Sequence, residues 1–357
     1  MTPALGLRRE TGEQKTSALT HPYPAPPGPG EAIEIAPGIL WARLPLPFRL
    51  DHINLYFIDD GDGWAVVDVG IASDAAKTAW EALLAGPLSG RRLTRLIVTH
   101  AHPDHIGLAG WLCERFDIPL LTSQTAYLDC LTISLDPGRL EAKVYGDFYR
   151  HNGLDEETTR RLSTQGHGYL RLVAPLPSTF QRVVAGDRLK VGARTFAVLS
   201  GDGHSPEQLM LYDEAARFFF VADQVLAKIS PNVSVSALDP NGDPLGLYLR
   251  SLADLRKGVP RDALALPGHG LPFFGLHDRI DELIAHHKAR CHALFEACRV
   301  RPCSPADLLP VIFPRELDPH QMGFAFNELL AHINFMVREG TLRPAPPGDG
   351  AARFVAV

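Results

Sequence analysis

The sequence predicts an α/β fold of two mixed sheets with helices on their outer faces. Short strand-like runs come first, and helices then alternate with strands, twice over. At 357 residues the chain suits one large domain plus a small appendage. Its 45% apolar and 21% charged residues are those of a globular protein with a substantial core.

Residues 20–30 (THPYPAPPGPG) are rich in proline, so residues 1–30 are expected to form an extended, poorly ordered lead-in. Strand runs follow at about 32–36, 38–44, 52–59 and 64–69, separated by Gly, Pro and Asp turns. Residues 73–85 carry apolar side chains at helical spacing behind a Ser73/Asp74 start. Leu96-Ile97-Val98 reads as a buried strand running into Thr99-His100, and 106–116 reads as a helix. The stretch 124–181 is mostly helix-like and forms an insertion bearing Tyr145, Tyr149, His151, His167 and Tyr169. Strands resume at about 182–185, 194–200, 208–213 and 217–221. A helix at 245–257, a short strand at 263–266 and a long helix at 276–298 complete the main body, 31–300. The tail, 301–357, reads helix, helix, strand, turn, strand, a winged-helix-like order.

The formal net charge of −6 argues against a general nucleic-acid binder. Residues 304–357 hold four arginines, no lysine and six acids, so the tail is expected to pack or to form a homodimer, not to clamp RNA. The five cysteines form no CxxC pair and read as reduced thiols. Residues 1–17 lack an apolar leader core, and no apolar run approaches membrane-spanning length. A cytoplasmic protein without a membrane partner is expected.

The chemistry concentrates in Thr99-His100-Ala101-His102-Pro103-Asp104-His105-Ile106-Gly107. In extended chain His100 and His102 point to the same side. Pro103 suits the first turn of a helix, which would bring Asp104 and His105 close to that pair. Clustered imidazoles and a carboxylate at a strand end are costly unless they bind a cation. Further candidate ligands follow other strand-like runs: His204 after 194–200, Asp223 after the apolar FFFVA, and His269 after ALALPG.

THAHPDHIG, GHSPEQ, the aspartate of FFFVADQV and LPGHG together resemble the ordered metal motifs of the metallo-β-lactamase superfamily, over roughly residues 31–300. The resemblance implies a four-layer αββα sandwich. His100, His102 and His204 would hold one metal, Asp104, His105 and His269 a second, and Asp223 would bridge them. Asp68, in VVDVG, matches a position that is structural or orients a ligand; Asp202 is a second candidate for that role. Two zinc ions are expected, with manganese or iron as alternatives. A hydroxide bridging the metals would be the nucleophile, with Asp104 orienting it or carrying its proton.

Asp223 stands where true β-lactamases of this fold use cysteine or no bridging carboxylate, so drug hydrolysis is not expected. Its presence resembles glyoxalase II-like thioesterases, lactonases and the nuclease branches, and the tail resembles the lactamase-beta-like group. The expected reaction is cleavage of a small thioester, ester or lactone, the alternative a phosphodiesterase or endoribonuclease. Tyr145, Tyr149, His151, His167 and Tyr169 of the insertion, and Lys228 and Asn232 after Asp223, are candidate substrate contacts.

Overall fold

The computed structural model describes residues 19–136, 143–163, 167–346 and 350–357. The first sheet contains β1 (Ile33–Ala36), β2 (Ile39–Pro45), β3 (His52–Asp59), β4 (Gly63–Val67), β5 (Arg92–Ile97), β6 (Leu120–Thr122) and β7 (Gln181–Arg182), side by side in that order. It is antiparallel from β1 to β4 and parallel from β4 to β7. The second contains β8 (Arg188–Val191), β9 (Arg194–Gly201), β10 (Gln208–Asp213), β11 (Phe218–Ala222) and β12 (Leu264–Pro267). Its order is β12-β11-β10-β9-β8, antiparallel except for the β11–β12 pair.

Period-two alternation divides the side chains of these strands between two cores. On β2, Ile39 and Trp41 face the second sheet, where Tyr56, Phe196, Leu211 and Phe220 complete the interior of the sandwich. Ala42 and Leu44 face the other way, toward a core shared with Trp80 and Leu112. Trp80 belongs to α1 (Asp74–Ala85), capped by Ser73 Oγ accepting from Ala76 N, and Leu112 to α3 (Ala109–Phe116). The outer face of the second sheet packs on α8 (Pro244–Gly258) and α9 (Leu276–Val300) through Phe219, Val221, Tyr248 and Ile280.

The expected helix at 106–116 is two helices, α2 (Pro103–Ile106) and α3, because Gly107 and Leu108 interrupt it. β6 and β8 escaped the sequence reading; three and four residues are too few to show alternation. The insertion forms α4 (Gln124–Leu135), α5 (Lys143–His151), α6 (Glu156–Ser163) and α7 (His167–Leu172). Residues 20–30 are not a loose lead-in: Thr20 N donates to Phe274 O (3.2 Å), Phe274 N donates to Thr20 O (2.9 Å), and Pro27 is buried.

The tail adds α10 (Pro305–Ile312), α11 (Pro319–Arg338) and an antiparallel pair, β13 (Leu342–Pro344) with β14 (Phe354–Ala356). α10 opens with a capping box between Ser304 and Asp307. Phe326, Leu329, Leu330 and Ile333 of α11 lie in the same core as Phe219 and Tyr248. The tail therefore covers the second sheet's helices and has no separate core of its own. A chain ended at Arg301 is expected to be recovered in inclusion bodies, because Tyr248, Leu252 and Leu294 lose their cover. Soluble truncated protein with an unchanged melting temperature would contradict that packing role. Among the described residues, no helix is long and apolar enough to cross a membrane.

Candidate metal centre

The candidate ligands gather at the ends of strands from both sheets. β5 stops at Ile97, so His100 and His102 lie on the loop beyond it and not on the strand itself. His102 is the extended N-cap of α2 with φ −64° and ψ 144°, and Pro103 opens the helix. Asp104 and His105 occupy the first turn, directly behind the pair. His204, Asp223 and His269 follow β9, β11 and β12. Backbone strain marks the same edge: Asp68 (φ 60°) and Ala222 (φ 48°) adopt the left-handed conformation that side chains disfavour.

Two groups of three donors result, His100 with His102 and His204, and Asp104 with His105 and His269. The ligand atoms of each group lie within 4.8 Å of one another. Asp223 Oδ2 sits between the groups, 3.5 Å from His204 Nε2, 3.4 Å from His105 Nε2 and 3.2 Å from His269 Nε2. His100 Nε2 and His102 Nδ1 are 3.0 Å apart.

Hydrogen bonds on the far side of the rings fix which nitrogen faces inward. His204 Nδ1 donates to Asn232 O (2.8 Å), and His269 Nδ1 donates to His52 O (2.7 Å). A carbonyl can only accept, so each Nδ1 carries a hydrogen and each Nε2 is left for another partner. His105 Nδ1 donates to Asp68 Oδ2 (2.8 Å). Thr99 Oγ1 donates to the same carboxylate oxygen (3.0 Å) and accepts from His100 Nδ1 (3.0 Å). His105 Nε2, His204 Nε2 and Asp223 Oδ1 are buried and have no hydrogen-bond partner. Buried polar atoms are rarely left so. Oriented imidazoles around a shared carboxylate, with inward atoms orphaned, fit a pair of divalent cations.

The electrostatics agree. Burial pushes His105 toward neutrality, but Asp223, Asp68 and Asp104 override it and hold the ring well above its usual pKa. His269 is raised to about 10, because Asp223 and Asp104 outweigh its burial. Burial and neighbouring imidazoles lower His100 well below the usual value, and burial and His204 lower His102 to about 3. The two halves of the cluster thus differ: one concentrates negative charge, the other neutral lone pairs.

Of the two aspartates proposed to orient ligands, Asp68 does so: Oδ2 holds His105, and Oδ1 accepts from Thr99 N (2.8 Å). Asp202 touches no ligand; Oδ1 accepts from Glu207 N (3.0 Å) and braces the turn that carries His204. Asp68→Asn is expected to lower turnover and metal affinity by about 10–100-fold, the usual cost of disturbing such a support. Titration with a metal-sensitive dye would measure the second effect.

A cavity of about 620 Å³ opens on His102 and His204. Tyr145 and Tyr169 line it. Tyr169 O–H donates to Ala101 O (2.7 Å), so it also props the peptide between His100 and His102. The other candidate contacts fall elsewhere. Tyr149 is core, packed on Phe148 and Phe326. His151 lies beside β14 in a separate cleft, its carbonyl accepting from Ala352 N. Lys228 is exposed and outside the cavity. Asn232 serves through its backbone carbonyl, and its side chain donates to Ser234 Oγ (2.8 Å). The side chain of His167 lies outside the described residues.

His52 and Asn54 were missed by the sequence reading. Asn54 Nδ2 donates to Pro267 O (2.8 Å) and Gly270 O (3.0 Å), and His52 Nε2 accepts from Gly270 N (2.9 Å). Together they fix the loop that carries His269. Only a polar residue in the apolar interior of a strand, Asn54 in HINLYFID, hinted at it.

Fold and site define a class, and the chain belongs to it: the family model "Metallo-beta-lactamase superfamily" matches residues 49–269. A second model, "Metallo-beta-lactamase-like, C-terminal domain", matches residues 291–357. Among solved structures, a beta-lactamase domain protein from Burkholderia ambifaria is 40% identical with a TM-score of 0.86, over 95% of this chain and 97% of that one. A metallo-beta-lactamase family protein from Thermus thermophilus is 28% identical with a TM-score of 0.76, over 90% of this chain and 100% of that one. The probable metallo-hydrolase YqjP of Bacillus subtilis is 20% identical over 84% of this chain and 92% of its own length.

Proposed function

We propose that this protein is a metal-dependent hydrolase of small carbonyl substrates: esters, including cyclic esters, and thioesters. The observation that carries the reading is a cavity of modest size that reaches the seven-residue cluster at His102 and His204. The name of the Bacillus relative, a probable metallo-hydrolase, agrees with it.

When bound, two divalent cations, most simply zinc, would lower the pKa of a shared water toward ~7 and polarise the scissile carbonyl. His100, His102 and His204 would hold one, and Asp104, His105 and His269 the other, with Asp223 shared between them. Asp104 is the more open carboxylate, its side chain 20% exposed against 7% for Asp223. Its Oδ2, 3.2 Å from His269 Nε2, is the oxygen suited to take a proton from the attacking water. Tyr169, on the cavity wall, holds the 100–102 loop in place through Ala101 O.

The cavity's charge narrows the substrate. Asp129, Asp136, Asp202, Asp239 and Asp243 line it, and no lysine or arginine does among the described residues. Away from the cations, a phosphodiester strand would meet repulsion from these carboxylates at close range. Uncharged esters and lactones are therefore the best substrates, ahead of acyl groups on anionic carriers. The test compares turnover of neutral lactones, neutral thioesters, S-acyl glutathione and acyl-CoA with cleavage of single-stranded RNA, at equal metal loading and two salt concentrations. Lactone or neutral-ester turnover, lost on chelation, is the expected result. RNA cleavage that weakens with salt, without carbonyl turnover, would replace this reading with the nuclease one.

A further inference from the structure

A second histidine–carboxylate cluster lies on the outer face of the second sheet, away from the cavity. His287 of α9 meets Glu328 and His332 of α11, and their ligand atoms lie within 4.8 Å of one another. Both histidines are fully buried, and Glu328 is 7% exposed. Glu328 and His332 are four residues apart, on one face of the helix.

We propose that His287, Glu328 and His332 form a further cation site, of the zinc type, that ties α9 to α11. His332 Nδ1 donates to Glu328 O (2.8 Å), the same tie to a carbonyl that turns His204 and His269 inward. His332 Nε2 is thereby aimed at His287 Nδ1, 3.1 Å away. That distance and that pairing of Nε2 with Nδ1 repeat the 3.0 Å approach of His100 to His102. The third donor here is a carboxylate, where that group has His204.

The rings are also in the protonation state a cation needs. Burial, with His332 and Arg290 nearby, lowers His287 to about 2; burial outweighs the Glu328 carbonyl and lowers His332 to about 4. Both are neutral at physiological pH, with no imidazolium to displace. With Nδ1–H of His332 spent on the carbonyl, His287 Nδ1 donates between the rings in the absence of a cation; a cation taken there would bind His332 Nε2 and His287 Nδ1, and the displaced hydrogen would pass to His287 Nε2. That Nε2 is buried without a hydrogen-bond partner. Burial raises Glu328 to about 7 against the pull of Arg290, which engages Oε1; a cation would hold the ionised form, and the second oxygen is there to bind it.

Two imidazole nitrogens and one carboxylate suit zinc, with one tetrahedral position left for a further ligand. Three donors instead of four make this the last site to fill as zinc is added. The site would also brace the metal centre at a distance. The Tyr248 ring lies 5.6 Å from that of His287, and Tyr248 O–H donates to Gln224 O (3.0 Å), next to Asp223.

Crystals of the full chain equilibrated with zinc would decide it by anomalous scattering at the zinc edge. The expected result is a peak between α9 and α11, within bonding distance of all three side chains, beside those at the Asp223 cluster. In solution, His332→Gln and His287→Gln should each bind one zinc fewer than the unaltered protein. Absence of the α9–α11 peak at a zinc concentration that fills the Asp223 cluster would overturn the proposal, even if both variants failed to fold. So would equal zinc stoichiometry in folded variants and parent.

Discussion

Asp223→Ala is expected to remove about two bound metal ions per chain and nearly all activity, while His102→Ala removes about one. The difference follows from where the two side chains stand. His102 belongs to a single group of three donors. Asp223 Oδ2 lies within 3.5 Å of imidazole nitrogens from both groups. It is also the negative charge between two cations that would sit ~3.5–4 Å apart. Two dications that close repel strongly in a buried site unless an anion lies between them. Without it, holding either ion weakens the hold on the other. The loss of turnover should exceed the ~10–100-fold typical of residues that only support ligands. Asp223→Asn separates charge from shape: it fills the same space but leaves the cations unneutralised, so it should resemble the alanine variant. Elemental analysis gives the metal count, and circular dichroism checks that the fold survives. Asp223→Asn with full metal content would refute the bridging argument.

The site was legible in the sequence because its ligands end strands, and strand ends are where alternation gives way to Gly, Pro and Asp. THAHPDHIG and LPGHG each announce both the end of an element and a donor. The supports were less visible. Asn232 and His52 orient His204 and His269 through backbone carbonyls, which every residue has, so residue type could not point to that role. Tyr145 and Tyr149 are one helical turn apart, yet one lines the cavity and the other fills the core. Spacing cannot separate them, because the difference lies in what α5 packs against. His287 and His332 were passed over for a similar reason. They lie on two different amphipathic helices, and only the packing of α9 on α11 brings them together.

Gly268→Ala should empty the metal centre without replacing a ligand. A methyl group there would lie 2.3 Å from Asp223 Oδ1 and 2.9 Å from His105 Cε1. Neither neighbour can yield cheaply, since Asp223 is shared by three imidazoles and His105 is tied to Asp68. The backbone cannot retreat either: Gly268 N donates to Ala222 O (2.9 Å), and Gly268 O accepts from Asn54 N (2.7 Å). The clash must therefore move the carboxylate, and misplacing it costs turnover at least as much as losing a supporting residue, about 10–100-fold or more. Gly270, two residues on, supplies the contrast. Its φ of +84° disfavours any side chain, but a methyl group there meets nothing within 4 Å. Gly270→Ala should lower the melting temperature through a backbone cost of roughly 1–2 kcal/mol while keeping its metal. Gly268→Ala should lose metal sharply as well as some stability, where Gly270→Ala loses stability alone. Should both variants bind metal like the parent, the closeness of Gly268 to Asp223 would not govern the site.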